Sequence, residues 1–170
     1  MTVGGPACPR NVIVAGAWWL TREAELASAR AKLVEIIMPE GSTPLRARWH
    51  LPTSKTDQRA EGVARSHECG CTGTPDPGCP VHALWDQLIW LKRRFPGRWS
   101  AQGPDLELPL FPTTEGEFVG YAAMVSTIRA AAALLGVPLE SPDKTERVSG
   151  HSLRATGAQG LARRDRKSVV

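Results

Sequence analysis

With 170 residues and 42% hydrophobic side chains, the chain has the length of one ordinary domain and enough apolar material to bury a core. No apolar run is long enough for a bilayer, and the N-terminus lacks the basic-then-apolar order of a signal peptide. Membrane and export roles are therefore set aside, and a soluble intracellular protein is expected, nuclear if the source is eukaryotic. The net charge of +4 rests on 16 arginines and only five lysines, a bias that suits phosphate recognition by planar guanidiniums and equally suits a GC-rich coding sequence.

Residues 1–16 read as an irregular lead-in, marked by Gly4-Gly5-Pro6 and Pro9. Ala17 to Ser28, rich in Ala, Leu and Glu, predicts a helix. Three short strand candidates follow: Leu33 to Met38, Arg46 to Leu51, and Gly62 to His67. The polar turn Pro52 to Gln58 between the last two would put Lys55 at a hairpin tip. Residues 67–82 form a Cys/His segment in which Pro75-Asp76-Pro77-Gly78 disfavours regular structure. Val81 to Phe95 places Leu84, Leu88, Leu91 and Phe95 at helical spacing. A Pro/Gly-rich connection covers 96–116, an Ala-rich helix Tyr121 to Leu135, a polar loop Ser141 to Ser149, and a last helix His151 to Arg163. The order predicts an α+β fold, mostly helical, with a small three-stranded antiparallel sheet.

Three motifs, each of which taken singly reads as an ordinary helix-surface pair or a solvated side chain, together suit phosphate chemistry. Arg22-Glu23-Ala24-Glu25-Leu26 lies in the first helix, Lys55-Thr56 in the hairpin, and Gly150-His151-Ser152-Leu153-Arg154 opens the last helix. His151 and Arg154, three apart, share one helix face. This succession, with Gly157-Ala158 after the last box and Leu110-Phe111-Pro112 between, resembles the catalytic domain of the tyrosine recombinases, the phage-integrase superfamily. The likeness runs from about Trp18 to Ala162.

That resemblance implies an enzyme that attacks a DNA phosphodiester with a tyrosine hydroxyl, without metal or nucleotide cofactor, in DNA integration and recombination. Arg22 and Arg154 would neutralise charge on the non-bridging oxygens. Lys55 would give a proton to the departing 5′-oxygen, and His151 would assist proton transfer and hold the phosphate. Glu25 would orient Arg22 or its helix, or else form a surface ion pair with it. Residues 17–164 would be this domain, with the Cys/His segment 67–82 inserted and 165–170 an atypical tail. DNA, and further recombinase copies, would be its partners.

The family pattern also asks for a His/Trp position and a nucleophilic tyrosine after the third box. Sixteen residues follow Arg154, and none is His, Trp or Tyr. The one tyrosine, Tyr121, precedes the box and reads as a packing residue. The chain is therefore expected to be truncated before the nucleophile, an inactive fragment and a remnant of a mobile element.

The Cys/His segment offers His67, Cys69, Cys71, Cys79 and His82. Zinc held by Cys69, Cys71, Cys79 and His82 is one reading, and a loop of reduced thiols is the other. Basic residues recur at Arg46, Arg48, Lys55, Arg59 and Arg65, and again at Lys92-Arg93-Arg94 and Arg98. They could track a phosphate backbone or simply be solvated. A zinc-stabilised interaction module and a DNA-binding protein without catalysis are the rival functions.

Overall fold

The computed structural model describes residues 4–51, 62–145 and 147–167. The first helix is α1 (Pro9–Trp18), so the stretch expected to be an irregular lead-in is largely helical. Pro9 stands at the first helical position, where its missing N–H costs nothing and its fixed φ favours the turn. Helix α1 buries Val12 and Ala15. The single helix expected over Ala17 to Ser28 is broken: Leu20 takes a positive φ of 55°, and a short helix α2 (Glu23–Ala27) restarts beyond it. The break lets Trp19 turn fully into the core, where its ring lies 6.0 Å from that of Trp49 and 4.6 Å from that of His67.

A 3₁₀ turn (Ala31–Leu33) leads into β1 (Val34–Ile37), which pairs antiparallel with β2 (Arg46–Leu51); β2 pairs antiparallel with β3 (Val63–Glu68). The three-stranded sheet expected from sequence is thus present, in the order β1-β2-β3. Strand β2 alternates cleanly, with Ala47, Trp49 and Leu51 buried and Arg46, Arg48 and His50 exposed, so one face meets the core. That face packs against α3 (Pro80–Arg94), which buries Val81, Leu84 and Leu91. A buried amide pair joins α3 to α1: Asn11 Nδ2 donates to Gln87 Oε1 (3.1 Å), and Gln87 Nε2 donates to the Leu110 carbonyl (2.8 Å).

The connection after α3 holds a small ribbon, β4 (Trp99–Ser100) and β5 (Gly103–Pro104), and then buries Leu108, Leu110 and Phe111. The last helices are α4 (Tyr121–Leu134) and α5 (Ser152–Lys167), the latter running into the stretch expected to be a tail. Helix α5 lies on α1 so closely that a Cβ at Gly157 would stand 1.9 Å from the Ala17 carbonyl oxygen. The fold is α+β, but helix accounts for well under half of the described residues, so "mostly helical" overstates it. Among the described residues no helix is long and apolar enough to cross a membrane.

Candidate functional site

Arg22 sits in extended backbone immediately before α2. Its own N–H donates to Glu25 Oε2 at 2.7 Å, so Glu25 holds the Arg22 backbone as a helix cap. The surface ion pair expected as the alternative is not among the ion pairs of the described residues. Arg22 is half-buried, and its Nε has no hydrogen-bond partner among them. The turn before it is fastened to the sheet: Arg65 Nη1 donates to the Trp19 carbonyl, Trp19 Nε1 donates to the Arg65 carbonyl (3.4 Å), and His67 Nε2 lies 3.0 Å from the Trp18 carbonyl.

The third box meets this turn from the other side. Leu153 is buried against α1, where a Cβ at Gly16 would come within 2.6 Å of its Cδ1. Gly150 lies on Glu23, and a Cβ there would stand 2.0 Å from the Glu23 carboxyl carbon. Only glycine admits so close an approach. Ser149 and Ser152 shape the start of α5: the Ser149 N–H donates to Ser152 Oγ (2.8 Å), and the His151 N–H to Ser149 Oγ (3.4 Å). Arg129 of α4 steadies the approach by donating to the Val148 carbonyl (2.9 Å). His151 is exposed and Arg154 half-buried, and neither enters an ion pair with another described residue. Two contacts therefore join the two motifs: Gly150, next to His151, lies on Glu23, next to Arg22, and Leu153, next to Arg154, lies on Gly16 of α1. Lys55 and Arg59 fall among residues 52–61, outside the described residues.

Two residues belong here that sequence reading missed. Glu23 is only 4% exposed, and its Oε2 lacks a hydrogen-bond partner among the described residues. Burial of a carboxylate in a helix rich in Ala and Glu leaves no trace in the pattern. Tyr121, expected to pack, is 58% exposed at the start of α4, and the Glu23 carboxylate beside its hydroxyl pushes the phenol pKa up.

The wider basic surface is thinner than its sequence suggests. Arg46 pairs with Glu68, Arg65 is tied to Trp19, and Arg98 grips Asp105 at 2.8 and 3.0 Å. Arg48 and the Lys92-Arg93-Arg94 run stay exposed. A second group of side chains, Cys69, Cys71, Cys79 and His82, brings its donor atoms within 4.8 Å of one another. Burial pushes the Cys79 thiol up to about 11. No protein-family model matches the chain, and no curated protein matches it.

Proposed function

We propose that this chain is a DNA-binding domain of tyrosine-recombinase type, in which Arg22, His151 and Arg154 hold one phosphodiester of the strand. The observation that carries the reading is the junction of the Arg22 turn with the start of α5, through Gly150 on Glu23 and Leu153 on Gly16. Two guanidiniums that lack ion-pair partners among the described residues suit an anion spread over two oxygens. His151, at the mouth of a helix N-terminus, adds a further donor. Glu25 caps the Arg22 turn, and Glu23 beside it is buried against Gly150. In the recombinase reading Lys55 supplies the proton to the leaving oxygen.

The 170 residues hold one tyrosine, Tyr121, on α4 rather than after the third box. The reading for these residues is DNA binding without a covalent bond to it, in an intracellular compartment where DNA is found. Duplex DNA titrated against the chain at several salt concentrations tests this. Binding that weakens with salt and drops in Arg22→Ala and Arg154→Ala supports the phosphate pocket. Indifference to both substitutions overturns it and leaves the interaction-module reading. A covalent protein–DNA adduct on a nicked suicide substrate overturns the non-covalent part alone.

A further inference from the structure

We propose that Cys69, Cys71, Cys79 and His82 bind one zinc ion in a closed structural site that fastens the end of β3 to the start of α3. The site stands apart from the phosphate reading and does not depend on it. Cys69 and Cys71 follow directly on β3, whereas Cys79 caps α3 and His82 lies one turn into it. The excursion from Cys69 to Cys79 returns the chain to its starting point, where the three sulfurs and one imidazole nitrogen gather.

The spacing is that of a metal tetrahedron. Cys69 Sγ lies 3.7 Å and Cys71 Sγ 3.6 Å from His82 Nδ1, and Cys79 Sγ lies 3.9 Å from Cys69 Sγ. Zinc with bonds of ~2.3 Å to sulfur and ~2.0 Å to nitrogen gives tetrahedral edges of about 3.8 Å between sulfurs and about 3.5 Å between sulfur and nitrogen. The Cys69–Cys79 separation is far beyond a disulfide bond of ~2.05 Å, and all four cysteines of the chain are free thiols. Backbone N–H groups point at the sulfurs, from Cys71 to Cys69 Sγ (3.4 Å) and from Asp76 to Cys71 Sγ (3.2 Å). Such donors stabilise thiolates and fix their direction. Soft thiolates with imidazole select zinc over magnesium or calcium, and four protein ligands leave no open position for a substrate.

Neither remaining candidate ligand belongs. His67 turns its Nε2 to the Trp18 carbonyl, and Cys8 heads α1 outside the cluster. The loop between the ligands also carries α1: Trp18 Nε1 donates to the Gly78 carbonyl (2.9 Å) and Arg10 Nη2 to the Pro77 carbonyl (2.7 Å). One ion would thus join sheet, α3 and α1 at a single node.

The test is metal analysis of the full chain after gel filtration in chelator-free buffer. About one zinc per chain is expected, and cobalt in its place should give the intense visible bands of a tetrahedral thiolate-rich centre. Cys79→Ser and His82→Ala should lose the metal, Cys8→Ser should keep it, and His82→Cys should keep it with an altered cobalt spectrum. Where Cys79→Ser does not fold, a thiol count on the wild-type chain decides: three thiols should become reactive together as a chelator removes the ion. A folded chain free of metal overturns the proposal, as does a thiol count that the chelator leaves unchanged.

Discussion

The sulfur cluster and the proposed phosphate site are built by opposite means. The four cluster residues all fall within 69 to 82 and bring their donor atoms within 4.8 Å of one another. Arg22 and Arg154 are more than a hundred positions apart, and each arrives on the start of a helix. The cluster points backbone N–H groups at its sulfurs, while the proposed phosphate site leaves its cations without ion-pair partners among the described residues. A ligand that stays calls for a closed, pre-shaped cage. A polyanion that comes and goes calls for charges kept half in water, because pairing them internally would have to be undone at each encounter. Close packing, glycine against carboxyl and glycine against carbonyl, must then do the positioning that ligands do in the cage.

Breaking the cage should have the largest effect. Structural zinc contributes on the order of 10 kcal/mol in small domains, and at about 2–4 °C per kcal/mol for a chain of this size its removal should lower the unfolding midpoint by more than about 10 °C. Melts of the zinc-loaded chain with and without a chelator measure the shift. Superposable curves would show that the hydrophobic core around Trp19 and Trp49 holds the node unaided.

Breaking the close packing should come next. Gly157→Ala forces a methyl onto the Ala17 backbone oxygen, a contact that only moving α5 off α1 can relieve. A loss of about 1–3 kcal/mol is expected, together with weaker DNA binding. Gly160→Ala is the matched comparison, since nothing lies within 4 Å of its Cβ position. It should stabilise α5 by up to about 1 kcal/mol through helix propensity. Equal effects in the two variants, read from denaturant midpoints, would mean that α5 does not depend on its seat on α1.

How much of this was readable beforehand follows the same division. The strands were legible because period-two patterning is local, as in Arg46 to Leu51, and the cluster was legible because its ligands are close in sequence. The break at Leu20 was not, because burial of Trp19 against β3 overrides the helix-forming run around it. Helix α1 was missed because Gly4-Gly5-Pro6 and Pro9 read as loop, although Pro9 in fact starts the helix. The motifs Arg22 and His151–Arg154 were visible as residue types. Their junction through Gly16, Glu23 and Gly150 was not, because contacts between distant small residues leave no periodic signal.

Charge removal from the proposed phosphate site should act on DNA rather than on folding. Each of Arg22→Ala and Arg154→Ala should reduce the salt slope of DNA binding by about 0.9. If both grip the same phosphate, the double variant should lose less than the sum of the two. Strict additivity in binding isotherms at fixed salt would place them on separate phosphates.

The smallest effect sharpens the comparison most. Arg98 grips Asp105 with two nitrogens, at 2.8 and 3.0 Å, and holds that carboxyl below its usual pKa. Because the folded value is the lower one, the stabilisation is present above the unfolded-state pKa and is lost as pH falls through the folded value. Both side chains are partly in water, at 33% and 43% exposure, so Asp105→Asn should cost less than about 1 kcal/mol at neutral pH and nothing measurable in strong acid or high salt. Arg98→Ala removes the same unit of positive charge from the chain as Arg22→Ala, yet its guanidinium is already engaged with a carboxylate. It should leave the salt slope of DNA binding unchanged. A loss equal to that of Arg22→Ala would mean that affinity follows net charge alone, and the distinction between an open cationic pocket and paired surface arginines would fall with it.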